Sequence, residues 1–140
     1  MTSEEFTIED NPRPEDKTAL NDRLYEFSVA ATGIDDGRWL AIFVRDAGAI
    51  VAGLHGWTWG GTGHIDTFWV REDLRRKGLG RRLLEAAESE ALRRGCQVMQ
   101  LSTHSYQVPD FYPRVGYDLI GCLPGWPGNA TRFFFKKQLA

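Results

Sequence analysis

"LRRKGLGRRLLEAAESEALRRG", residues 74–95, places five basic residues and two glycines in its first nine positions, then runs on rich in leucine and alanine. Leu79, Leu83, Ala87 and Ala91 fall on one stripe, widened by Leu84 and Leu92, so the spacing predicts a helix from about Gly78 to Arg94. Gly95 is placed to end it, and Arg93 and Arg94 suit the negative end of the helix dipole. At the other end Gly78 and Gly80 permit backbone angles that other residues resist and leave the main chain uncovered. The first amides of a helix lack intrahelical partners, and with the dipole they form a seat for an anion such as a pyrophosphate. Arg75, Arg76, Lys77, Arg81 and Arg82 add positive field around it. The turn matches neither the Walker pattern, which ends in Gly-Lys-Ser/Thr, nor the G-x-G-x-x-G dinucleotide fingerprint.

Upstream, the apolar, β-forming "WLAIFVRD" (39–46) reads as a buried strand, and "AGA" as a tight turn. "AIVAGLHGWTWG" (49–60) then returns as an antiparallel partner, and "GGTG" leads into "HIDTFWV" (64–70), completing a meander. Downstream, "QVMQLSTH" (97–104) reads as a strand. Strand, crossover helix and strand in succession predict parallel pairing. "VPDFYPRVG" is a short helical or turn segment, and "YDLIGCL" and "TRFFFKKQL" are two closing strands around "PGWPGN". Before the meander, "FTIEDN" reads as a short first strand, residues 14–31 as a helix carrying Leu20, Leu24, Phe27 and Ala31, and "TGIDDG" as a loop. The predicted architecture is mixed α/β in a single domain over residues 1–140.

The net charge of -2 gives no global basic field, so positive charge is local and points to a small anion rather than nucleic acid. A nucleic-acid clamp built on the Arg/Lys cluster is disfavoured for the same reason. The acidic start "MTSEEFTIED" lacks the apolar stretch of a signal peptide, and no run approaches a membrane span. Cys96 and Cys122 fit no ligand or CxxC pattern and read as buried free thiols of a cytoplasmic protein. His55, His64 and His104 are scattered, so no metal site is expected.

The hexapeptide Arg75-Arg76-Lys77-Gly78-Leu79-Gly80 matches the Arg/Gln-x-x-Gly-x-Gly/Ala signature of the GNAT superfamily of acyl-CoA-dependent N-acetyltransferases. "FYPRVGY" (111–117) is similar to that family's Tyr-x-x-x-Gly-Phe/Tyr segment. The resemblance runs from about residue 39 to the C-terminus. It implies a strongly twisted mixed sheet of six to seven strands with about four helices, and a parallel strand pair splayed around acetyl-CoA.

Under this resemblance, backbone groups of Phe68, Trp69 and Val70 pair with the pantetheine arm, the pyrophosphate receives backbone N–H groups from about Arg76 to Arg81, and Arg75 also counts among the cofactor-binding residues. Ser105 stands where many relatives carry Asn, and Pro113 is a second departure from the pattern. Tyr112 is the family tyrosine that protonates the leaving thiolate; a phenol of pKa about 10 still holds its proton at neutral pH. His64 and Asp66, two apart in a strand, share one face. One of them is a candidate base, because histidine chemistry suits proton transfer near neutrality and a carboxylate can orient it or hold an ammonium.

The acceptor is expected to be an amine, walled by Tyr25 and Phe27 of the first helix and by Trp57 and Trp59, with Glu26, Asp35 and Asp36 nearby. The resemblance also implies a possible homodimer, through the hairpin near "RFFFKKQL". A non-catalytic acyl-CoA-binding sensor that keeps the cleft without turnover is the alternative to an enzyme.

Overall fold

The computed structural model describes residues 5–140, which fall into two units, 5–35 and 36–140. The first unit holds α1 (Pro14–Thr32). Pro14 opens it with a pre-set φ, Glu15 and Asp16 face the positive end of the dipole, and Gly33 closes it at φ 72 with its N–H on Val29 O. The strand expected at "FTIEDN" is not formed: residues 5–9 are irregular, and Phe6 and Ile8 are 88% and 96% exposed. Alternation there has no buried face to serve, and a strand without one gains little from extension.

The second unit is a six-stranded sheet: β1 (Arg38–Asp46), β2 (Ala49–Trp59), β3 (Thr62–Val70), β4 (Val98–His104), β5 (Asp118–Pro124) and β6 (Thr131–Gln138), in the order β1-β2-β3-β4-β6-β5. Only β3 and β4 run parallel. The β1–β2 turn has Ala47 at φ 50 and Gly48 at φ 83, the paired left-handed geometry that suits a two-residue hairpin. Helices are α2 (Leu79–Arg93) and the four-residue α3 (Phe111–Arg114), with a 3-10 turn at Glu72–Leu74. The described residues thus hold three α-helices where about four were expected. The five residues 33–37 between α1 and β1 leave no room for another. β6 lies inside the sheet and Phe135 is buried, so the free edge of the closing hairpin belongs to β5 and not to the "RFFFKKQL" strand. Cys96 is buried but Cys122, on that edge strand, is exposed, which corrects the reading of both thiols as buried.

The stripe of α2 packs on the sheet as its spacing requires. Ala87 and Ala91 are fully buried beside Leu84 and Met99, and their small side chains let helix and sheet approach closely. Glu88 interrupts this stripe. Its carboxylate accepts Tyr117 Oη at 2.7 Å and Lys137 Nζ at 2.9 Å, and the same ammonium also donates to Val115 O at 2.9 Å. Helix α2, the end of α3 and β6 are thereby fixed to one another by a satisfied polar network.

The feature that opens the sheet is a count of residues. His55 pairs with Thr67 and Gly56 with Ile65, so Asp66 is an extra residue bulged out of β3. Pairing of β3 with β4 runs only from Thr62↔Val98 to Ile65↔Leu101 and stops at the same place. Opposite the bulge a Cβ on Gly56 would overlap the His64 carbonyl oxygen, so β2 needs glycine there. Gly56→Ala is expected to cost about 2 kcal/mol, in the range of overpacked sites, and to lower the thermal midpoint by several degrees. An unchanged melting curve would show that the two strands separate locally without penalty.

Candidate active site

Beyond Ile65 the two parallel strands diverge, and β4 keeps only its β6 partner. Arg71 N–H bonds Val51 O at 2.9 Å, which fixes the alternation along β3. The peptide groups of Phe68 and Val70 therefore face away from β2 into the gap. Those of Trp69 face Gly53 of β2, so of the three residues expected to meet a cofactor arm by backbone, two are turned to do so. Arg75 does not wait for an anion with its whole guanidinium: its Nε donates to Val70 O at 2.7 Å and ties the turn to the strand end.

The turn itself is built from two left-handed residues, Arg76 at φ 62 and Gly78 at φ 83. Gly78 is the N-cap and offers no side-chain acceptor. The first amide bonded inside the helix is Arg82 N–H, to Gly78 O at 3.1 Å, which leaves the N–H groups of Leu79, Gly80 and Arg81 without a partner among the described residues. Gly80 and Arg81 line a cavity of about 700 Å³, the size of a site for a large ligand. Phe68, Trp69, Val70, Arg75, Arg76, Gly78, Gly80 and Arg81 line it, together with Tyr112. Lys77 and Leu79 do not; the Leu79 side chain packs against the core. Ser105 lies elsewhere, its Oγ accepting Thr131 N–H at 2.9 Å.

A smaller cavity of about 180 Å³ opens where β3 leaves β4. It shares Phe68, Thr103, Gln107 and Tyr112 with the larger one, so these four residues form the wall between the two. Tyr112 is 9% exposed and packs edge-on against Phe111 and Tyr117 and beside Phe135. Burial pushes its phenol up to about 12. Burial also raises Tyr117, reinforced by its bond to the Glu88 carboxylate.

His64 and Asp66 do meet, with Nε2 2.8 Å from Oδ1, despite the bulge between their strand positions. Asp66 lines the smaller cavity and His64 does not. The imidazole stands behind the carboxylate, stacked on Trp57 at 5.0 Å, with its Nδ1 buried and unbonded among the described residues. Trp57 thus supports His64 instead of lining either cavity, and Trp59 closes β2 opposite Thr62. Asp36 accepts Gly60 N–H at 2.9 Å and braces the β2–β3 turn. In the N-terminal unit the Tyr25 hydroxyl donates to Asp35 at 2.8 Å, Glu26 pairs with Arg23, and Phe27 is 70% exposed.

Sequence reasoning missed Thr103, Gln107 and Arg132. Gln107 Oε1 accepts Thr103 Oγ1 at 2.9 Å and His104 N–H at 2.7 Å, so it shapes the loop after β4. Alternation along β4 signals that Thr103 points inward; nothing local marks Gln107. Among the described residues no group of three His, Cys, Asp or Glu side chains is placed to hold a metal.

A profile of the acetyltransferase (GNAT) family matches residues 3–117. The chain is 38% identical over 120 residues, 80% of this chain and 86% of the other, to blasticidin-S acetyltransferase from Streptomyces morookaense. The crystal structure of an acetyltransferase from Bacillus cereus superposes with a TM-score of 0.75 at 29% identity, covering 95% of this chain and 97% of that one. Aminoglycoside 6'-N-acetyltransferase complexed with coenzyme A shares the fold at a TM-score of 0.63 and 18% identity, covering 96% of each chain.

Proposed function

The chain belongs to the acetyltransferase (GNAT) family, and we propose that it moves the acetyl group of acetyl-CoA to a primary amine by direct attack in a ternary complex. One observation carries this reading: Tyr112 stands in the wall between a cavity bordered by unbonded helix amides and a cavity bordered by a carboxylate. The first suits a diphosphate and its arm, the second an ammonium. The coenzyme A held by the aminoglycoside acetyltransferase on the same fold supports the first assignment.

The amides of Gly80 and Arg81 hold the diphosphate, with charge from Arg76 and Arg81 in the cavity wall. Phe68 and Val70 bond the pantetheine arm through their peptide groups. Asp66 holds the incoming ammonium and accepts its proton, and His64, whose Nε2–H donates to the carboxylate, keeps Asp66 in place. The amine nitrogen forms a bond to the acetyl carbon while the carbon–sulfur bond breaks; Tyr112 gives its proton to the departing thiolate, and the second proton leaves the nitrogen to solvent, from which Tyr112 is reprotonated. Ser105 supports this chemistry only through the loop it fixes to Thr131.

The same proposal takes residues 1–140 as one domain, since the family match spans both units. It places the protein in the cytoplasm, in keeping with two free cysteines, and among the described residues no helix is long and apolar enough to cross a membrane. Homodimer formation belongs to it as well, with the exposed Leu119, Ile120 and Leu123 of β5 at the available edge.

With acetyl-CoA and a panel of primary amines, the protein is expected to release free thiol at least tenfold faster than without amine, read with a colorimetric thiol reagent. Binding of acetyl-CoA with no acceleration by any amine would leave a sensor module in place of an enzyme.

A further inference from the structure

Arg132, on β6 opposite His104, lines the smaller cavity together with Asp66. Its Nε and Nη2 both donate to Ser102 Oγ, at 3.1 and 2.8 Å. Its guanidinium lies 5.4 Å from the ring centre of Trp126 and 5.0 Å from that of Phe134, contacts that hold its plane. It makes no ion pair with any described carboxylate. A guanidinium carries five N–H donors, and two of these converge on one neutral oxygen, so donors remain and the positive charge faces only aromatic rings and no described carboxylate. Ser102, accepting twice, keeps its own O–H to give.

We propose that Arg132 and Ser102 form an anion subsite beside Asp66, and that the acceptor of the acetyl group is an aminocarboxylate. This rests on the acetyl-transfer reading above. Asp66 alone would welcome any ammonium, but a fixed cation in the same cavity repels one that arrives without a compensating charge. A carboxylate on the acceptor turns that repulsion into a charge-assisted pair, for which arginine's fork is the matched partner. At about 180 Å³ the cavity is smaller than the 300–1,000 Å³ or so of sites that enclose a whole drug-sized ligand, so only the reacting end enters. Amine and carboxylate therefore sit within a few bonds of each other.

The test is calorimetric titration of the full chain, loaded with coenzyme A, using β-alanine, 4-aminobutyrate and L-lysine against their decarboxylated counterparts ethylamine, propylamine and cadaverine. In the unaltered protein at least one aminocarboxylate is expected to bind tenfold or more tightly than its counterpart. Arg132→Gln, which keeps a donor for Ser102, should bring that ratio to about one, and Arg132→Lys should restore part of it. A ratio near one in every pair before substitution, no binding of any of the six, or a ratio that survives Arg132→Gln overturns the subsite. Preserved binding ratios with no thiol release from any amine would refute acetyl transfer and uphold the anion subsite.

Discussion

Gly80→Val is expected to lower affinity for coenzyme A about a thousandfold while the fold stays intact. Gly80 is the second residue of α2 and lines the large cavity at the unbonded amides. A Cβ there would meet Phe68 Cζ at 3.7 Å and Val70 Cγ2 at 3.9 Å, ordinary contacts that the protein tolerates. The two further methyls then occupy the cavity beside Gly80 and Arg81, where the proposed reading seats the diphosphate. A hydrogen bond to a charged group contributes about 1.5–3 kcal/mol, so losing two removes about 3–6 kcal/mol, or two to four orders of magnitude. Gly78 is a less clean target, because its φ of 83 strains any other residue by about 1–2 kcal/mol regardless of ligand. Titration with coenzyme A reads the result. Affinity within fivefold of the unaltered protein would place the diphosphate somewhere other than this turn.

Tyr112→Phe should reduce kcat about 10²–10³-fold and leave the dissociation constant of coenzyme A within twofold, because the proposed cofactor contacts come from backbone amides. The ring keeps its packing on Phe111, Tyr117 and Phe135. The hydroxyl makes no hydrogen bond with any described residue, so its removal orphans no partner. The phenol's acidity adds a second readout. With its pKa raised to about 12, Tyr112 stays protonated, hence able to donate, as pH rises through the working range, and loses that proton only near the raised value. The ratio of unaltered to variant kcat should therefore be flat from pH 6 to 10. A ratio that closes above about pH 9 would mean that the phenol ionises there and that burial does not protect it.

Much of this was legible in the sequence because it depends on spacing. The α2 stripe, its glycine boundaries, the meander and the parallel crossover all follow from local periodicity and turn chemistry, and the pairings agree with them. What escaped was set by tertiary context. "FTIEDN" alternates well enough for a strand, but Phe6 and Ile8 find nothing to bury against. Nothing local marks Glu88 as a buried residue, yet Tyr117 and Lys137, from distant segments, draw it inside.

At the site, the glycine turn and Tyr112 were readable from motif and chemistry. The placing of Asp66 in the smaller cavity with His64 behind it was not, because a strand of period two gives no warning of a bulge. Arg132 stood beside three phenylalanines and carried no signal until β6 proved to lie next to β4. Arg75 kept its place in the motif, but its Nε is engaged by a strand carbonyl.

The surplus residue at position 66 gives the aperture an arithmetical origin: β3 is longer than its neighbour by one amino acid over the same span. Shortening β3 by that one would remove Asp66 and the irregularity in the β2–β3 ladder at which the pairing with β4 also stops. Susceptibility of this fold to loss of function therefore resides as much in indels as in substitutions, and a scan that exchanges side chains one at a time would pass straight over it.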